Sequence, residues 1–333
     1  ENAPQYHIIA AGSFLGVTMH EGNSFPVGKV DRLTLYPLSF YEFLYAIDEW
    51  RMIDVAKSFD KMVIQGLASK FTELLRTYFY VGGMPRAVSA YSQRHDFYEV
   101  RKIQNEILAD YGNDFSKHIT APNIPKVRLI WDYIPMHLAK EKKRVVYAEI
   151  KKGGRASAFE DALQWLTDTG LIYKSLRITI PRIPLASYAQ KDNFKLYMLD
   201  VGLLAAKAEL ELKTFLNPDA RIFKEFNGAF AEQFVMQELK ATEKTPYYWG
   251  RNKGAAELDF VLQYDGGVVP IEVKAGIRTG AKSLDFYRAE YRPTYALRTS
   301  LKNLGLTDGL YSIPLYMIAS FEDIIEKMKS IKV

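Results

Sequence analysis

Glu257-Leu258-Asp259-Phe260-Val261-Leu262, then Gly266-Gly267, then Val269-Pro270-Ile271-Glu272-Val273-Lys274 is the stretch on which the reading of this chain turns. Two β-type runs flank a Gly-Gly pair, a strong hairpin signal. Side chains on a strand alternate between faces, so Glu272 and Lys274 share one face while Val269, Ile271 and Val273 take the other. Glu257 and Asp259 likewise share one side of their strand. Pairing through the hairpin then brings Asp259 opposite Glu272, with Lys274 beside them. Two close carboxylates repel and need a cation. A hard divalent metal such as Mg²⁺ takes oxygen ligands from one or two carboxylates plus waters and phosphate. Asp259 and Glu272 are therefore the expected metal ligands. Lys274 is the group expected to orient water or to steady charge on a phosphoryl oxygen. The bland reading of the same residues is a strand with a solvated charged face.

Around this hairpin the last region, 214–333, alternates helices and strands and predicts a small α/β domain with a mixed sheet. Its first helix, Phe223–Thr242, carries Glu232 among Phe230, Ala231, Phe234 and Val235. That glutamate completes an acidic cluster if the helix lies on the sheet, and is otherwise a solvated helix position. Strands are expected at Pro246–Trp249, Glu257–Gln263, Val268–Val273, Thr294–Thr299 and Leu315–Ile318, with helices at Ser283–Tyr291 and Phe321–Lys329. Upstream, 123–213 runs helix (Val127–Leu138), short strand (Arg144–Val146), brief helix (Tyr147–Lys151), helix (Ser157–Thr169) and strand (Leu171–Ile180). That is a winged-helix order, a variant of helix-turn-helix. Gly170 closes the long helix as a C-terminal cap.

Residues 39–122 read as helices. Ser39 caps Phe40–Ile47, with Glu42 completing a capping box. Leu67, Phe71, Leu74, Leu75 and Tyr78 keep helical spacing, and Pro85 sits in the first turn of the helix after Gly82-Gly83. Val100, Ile103, Ile107, Leu108 and Tyr111 form one face of a longer helix. Before them, 1–38 holds a buried-type strand from His7 to Ala11, closed by Gly12-Ser13, and an alternating strand over Val30–Leu35. A buried parallel strand needs neighbours on both sides, which predicts that the chain is the later part of a longer protein.

The chain has 333 residues, no cysteine, 48% hydrophobic and 25% charged residues, and 44 basic against 39 acidic side chains for a net charge of +5. This profile is that of a globular protein long enough for two or three domains; it excludes collagenous, disordered and disulfide-scaffolded classes. No apolar stretch approaches the roughly 18 residues of a membrane span, and we expect no membrane partner. Absence of cysteine is compatible with the cytoplasm, where we place the protein. The five histidines lack metal-ligand spacing.

Several motifs in fixed order widen the reading. Gly12-Ser13, Leu35-Tyr36-Pro37-Leu38-Ser39-Phe40-Tyr41-Glu42-Phe43-Leu44, Gly82-Gly83-Met84-Pro85 and Phe194-Lys195-Leu196-Tyr197-Met198-Leu199-Asp200-Val201-Gly202-Leu203-Leu204 precede the Glu257–Lys274 hairpin. Together they resemble prokaryotic AAA-type ATPases that carry a winged helix and a C-terminal restriction-endonuclease-like domain of unknown function. The resemblance implies an α/β multidomain protein: the end of a P-loop ATPase core (1–38), a helical lid (39–122), a winged-helix domain and linker (123–213) and a nuclease-like domain (214–333). It implies ATP as cofactor, bound mainly through a phosphate loop upstream of Glu1. Ser13 matches the sensor position near the terminal phosphate. Lys29 stands where relatives commonly have an arginine finger, and a lysine cannot fork onto phosphate as arginine does. Gly22–Val30 is not a phosphate loop: its spacing is one residue too long, and valine replaces the magnesium-binding hydroxyl. The resemblance also implies a catalytic set of Asp259, Glu272, Lys274 and Glu232.

Two functions remain open from the sequence. One is a nucleotide-driven, Mg²⁺-dependent enzyme that cleaves DNA; the other is a nucleotide-switched DNA- or protein-binding module whose nuclease-like fold does not cleave. DNA is the expected partner, with phosphate contacts from Lys140, Lys142, Lys143, Arg144, Lys151, Lys152 and Arg155. Glu160, Asp161, Gln164 and Asp168 point outward on the presumed recognition helix and oppose base readout. A homo-oligomer is compatible with the family.

Overall fold

Local signals set the start of the helical half. In the computed structural model Ser39 Oγ accepts the Glu42 N–H, and Glu42 returns a bond to the Ser39 N–H at 2.7 Å, so the expected capping box opens helix α1, Phe40–Ala46. Helices α2 (Trp50–Ser58), α3 (Lys61–Gly66), α4 (Ala68–Val81), α5 (Pro85–Arg94) and α6 (Phe97–His118) follow. The structure describes residues 33–330 apart from 141–142, 217–220, 253, 278–279 and 281, together with 7, 9, 12 and 31. Ser13 and Lys29 lie outside the described residues, as does most of the strand expected from His7 to Ala11. Of the strand expected at Val30–Leu35, the described positions 33–35 pair with no strand among the described residues, and Leu33 and Leu35 are each 85% exposed. An alternating pattern makes a strand only where a partner supplies its hydrogen bonds.

The middle of the chain contains α7 (Ile124–Leu138), α8 (Tyr147–Ile150) and α9 (Ala156–Asp168), then the hairpin of β1 (Ile172–Ile178) and β2 (Ala189–Met198). Phe159, Ala162, Leu163 and Leu166 are buried on α9, as their spacing predicts. Arg144–Val146 is not a strand: Val145 N–H makes a single ladder-like bond, to the Phe194 carbonyl at 3.0 Å. Helices α10 (Val201–Lys207), α11 (Leu212–Leu216) and α12 (Arg221–Ala241) lead into β3 (Tyr247–Gly250), β4 (Glu257–Tyr264) and β5 (Gly267–Val273). The chain ends with α13 (Lys282–Tyr291), β6 (Ala296–Ser300), β7 (Gly305–Thr307), β8 (Leu310–Pro314), a 3₁₀ turn and α14 (Phe321–Ser330). The last expected strand is displaced: Leu315–Ile318 lies in the 3₁₀ turn Leu315–Ser320, and the strand is β8 just before it. A short apolar run does not by itself distinguish the two.

One mixed sheet of eight strands, in the order β2-β1-β3-β4-β5-β6-β8-β7, joins the middle hairpin to the C-terminal strands. The junction is narrow: β1 and β3 run parallel and share the pairs Arg177–Tyr248 and Ile178–Trp249. Helix α12 packs on one face of the sheet, against β2 and β5. On the other face α13 covers a smaller core of Trp249, Leu258, Val261, Leu284 and Tyr287. The large core is shared with the helical half. Phe234 of α12 meets the rings of Phe40, Tyr78 and Phe79, and Phe71 stacks on Tyr316 with centroids 4.3 Å apart. The Gly82-Gly83 turn fits against this core because it has no side chains. Gly82 has φ +73°, and a Cβ on either residue would collide with Asp200 or the Leu38 carbonyl.

Candidate functional site

The β4–β5 hairpin forms in the register the sequence predicts, from Tyr264–Gly267 to Phe260–Ile271. Asp259 lies one residue beyond the last paired position. Its carboxylate reaches across to β5, where Oδ2 accepts the Val273 N–H at 2.8 Å. Glu272 is 6% exposed, and Lys274 Nζ sits 2.5 Å from its Oε1. The other oxygen, Glu272 Oε2, is buried with no hydrogen-bond partner among the described residues. Helix α12 lies on the sheet and brings in Glu232, also buried. The four residues singled out on the sequence are therefore near neighbours.

Their electrostatics follow from this proximity. Burial pushes Asp259 up to about 8, and the negative charges of Glu232 and Glu272 push it further in the same direction, against Lys195 and the Val273 N–H. Burial also raises Glu272, with Lys274 opposing. Glu232 behaves differently. Burial raises it, but Lys143 and Lys195 outweigh burial and hold it below the usual carboxylate range.

Three partners of this cluster escaped the sequence reading of the site. Lys143, expected in a solvated phosphate-binding loop, is buried and bonds to Glu232 Oε1. Lys195, on β2, is 2% exposed; its Nζ lies 2.7 Å from Glu257 and 4.0 Å from Glu232 Oε2. Tyr197, on the same face of β2, donates to Glu232 Oε2 at 3.3 Å. A lysine inside the otherwise apolar run Phe194-Lys195-Leu196-Tyr197-Met198 was the available signal. Of the other basic residues assigned to phosphate, Lys140 pairs with Glu149 at 2.6 Å, and Arg144, Lys151, Lys152 and Arg155 are exposed. Lys142 lies outside the described residues. Glu160, Asp161, Gln164 and Asp168 face outward as expected.

Among the described residues no group of three or more His, Asp or Glu side chains is arranged to hold a metal. Magnesium does not need three: one or two carboxylates with water suffice. Asp259 and the unpartnered Oε2 of Glu272 fit that donor set. Also among the described residues, no helix is long and apolar enough to cross a membrane.

Residues 72–214 match a domain of unknown function (DUF8612), and residues 227–318 match a second domain of unknown function (DUF4143). The boundary between the two matches separates Lys143 and Lys195 from the carboxylates and Lys274 of the cluster. No curated protein and no solved structure matches the chain.

Proposed function

We propose that the C-terminal domain is a metal-dependent phosphodiesterase centre of restriction-endonuclease type acting on DNA. The observation that carries this is the unpartnered, buried Oε2 of Glu272 beside an Asp259 whose proton is retained to about 8. A buried carboxylate oxygen without a partner is costly, and a divalent cation held by Asp259 and Glu272 removes that cost. Such a cation would supply Lewis acidity and an activated water. Lys274, held by Glu272 Oε1, is in position to steady negative charge on a phosphoryl oxygen. The Asp259–Val273 bond fixes the carboxylate that the cation would meet.

Around this centre we propose a larger AAA-type ATP-binding protein. In it residues 39–122 act as the helical lid, α7 to β2 as a winged helix, and Ser13 and Lys29 as nucleotide-proximal residues. The second matched domain is often found in AAA-ATPase-associated proteins, which supports this setting.

The alternative is a binding module with no cleavage. The specific observation in its favour is the saturation of Glu232 by Lys143 and Tyr197, which leaves that carboxylate no free oxygen to offer a cation. Nicking of supercoiled plasmid with and without Mg²⁺ or Mn²⁺, beside calorimetric metal titration, separates the two. The nuclease reading expects metal-dependent nicking that Asp259→Ala abolishes and that Lys274→Ala slows without loss of metal binding. Metal binding with no cleavage of varied DNA and RNA substrates supports the binding module instead.

A further inference from the structure

Glu232 is neutralised from outside its own domain. It lies in the second matched region, whereas Lys143, Lys195 and Tyr197 all lie in the first. The Val145–Phe194 backbone bond ties the segment before α8 to β2, so the two lysines arrive together. Both oxygens of Glu232 are thereby engaged: Oε1 by Lys143, and Oε2 by Tyr197 with Lys195 at 4.0 Å. The strand pairing that joins the two regions is short, and these ion pairs lie alongside it.

Buried ion pairs are poor stability devices, because desolvation of both charges offsets most of their attraction. Their position suggests another use. We propose that Lys143 and Lys195 are positioning residues of the carboxylate centre: built-in ammonium counter-ions, supplied by the preceding domain, that hold Glu232 out of the metal's coordination. With the lysines in place, the site offers a cation only Asp259 and Glu272. Withdrawing them turns Glu232 into a third carboxylate ligand and tightens metal binding. The middle domain thus sets the metal affinity of the C-terminal one. This inference rests on the reading of the cluster as a metal site.

The test is calorimetric titration of the full chain with Mn²⁺ alone. It compares the wild type, Lys143→Met, Lys143→Gln, Lys143→Arg, Glu232→Gln and the double variant Lys143→Met with Glu232→Gln. Lys143→Gln keeps a hydrogen-bond donor toward Glu232 and serves if the methionine variant does not fold. Lys143→Met and Lys143→Gln should tighten Mn²⁺ binding by about 5–150-fold, the usual span of coupling between two sites of one protein. Lys143→Arg should keep wild-type affinity. In the double variant the gain should vanish, because the released ligand is gone, whereas a purely Coulombic effect of losing a positive charge would persist. Mn²⁺ binding in the wild type with no gain in the Lys143 variants, or a gain that survives Glu232→Gln, overturns the inference and leaves the metal site standing. No Mn²⁺ binding in any folded variant overturns the metal site itself.

Discussion

Replacing Glu238 by glutamine should change how the stability of this protein depends on pH. Glu238 sits on α12, is 2% exposed, and accepts the Phe40 N–H at 2.8 Å, so it fastens helix α1 to the helix that carries Glu232. Burial pushes its pKa from 4.5 up to about 8; the Phe40 bond opposes this and the nearby Glu42 charge adds to it. The buried Tyr78 phenol nearby is raised by burial first and then by the charges of Glu238 and Asp200. In the native chain the proton stays on through neutral pH, while in the unfolded chain it leaves near 4.5. Unfolding therefore releases a proton between 4.5 and about 8, and stability falls as pH rises through that window. The slope is at most about 1.4 kcal/mol per pH unit for one proton, so between pH 5 and 7 the loss is of order 2–3 kcal/mol. Glutamine keeps the acceptor for Phe40 and has no proton to lose. Thermal unfolding followed by circular dichroism at both pH values gives the variant-minus-wild-type difference in Tm. That difference should move in favour of Glu238→Gln by a few degrees from pH 5 to 7. Asp200, raised by burial to about 6, contributes the same sign in both proteins and cancels in the comparison. A difference that stays constant, or one that moves in favour of the wild type, refutes the reasoning.

Further expectations concern the same frame. Leu163→Ala, at a buried position on α9, should lower urea-unfolding stability by about 2–5 kcal/mol. Ser39→Ala removes one half of the capping box and should cost about 0.5–2 kcal/mol in the same assay. Gly83→Ala should cost more than Ser39→Ala, because its Cβ collides with the Leu38 backbone rather than with a movable side chain.

What was legible in advance depended on the distance over which the deciding contacts act. The capping box at Ser39, Pro85 in the first turn of α5 and the buried stripe of α9 are local, and each appears where its residues predict. The hairpin carrying Asp259, Glu272 and Lys274 is local too, since a tight turn and alternation set its register. The misread elements depended on distant partners. Leu315–Ile318 has the composition of a strand, yet it forms a 3₁₀ turn in which Tyr316 stacks on Phe71. Arg144–Val146 found one backbone partner where a strand needs a ladder.

The sequence by itself determined which four charged residues come together as neighbours, Glu232, Asp259, Glu272 and Lys274, and the local scaffold that presents three of them. Tertiary structure alone decided their charge state and partners. Lys143 reads as a solvated loop cation until folding brings it to a carboxylate 89 positions away. Lys195 reads as one charge in an apolar strand until β2 carries it beneath Glu232 and Glu257. The physical reason is that strand alternation and helix caps act between neighbours in the chain. Desolvation and Coulomb energy depend on what packs in space, and no spacing in the sequence encodes that directly.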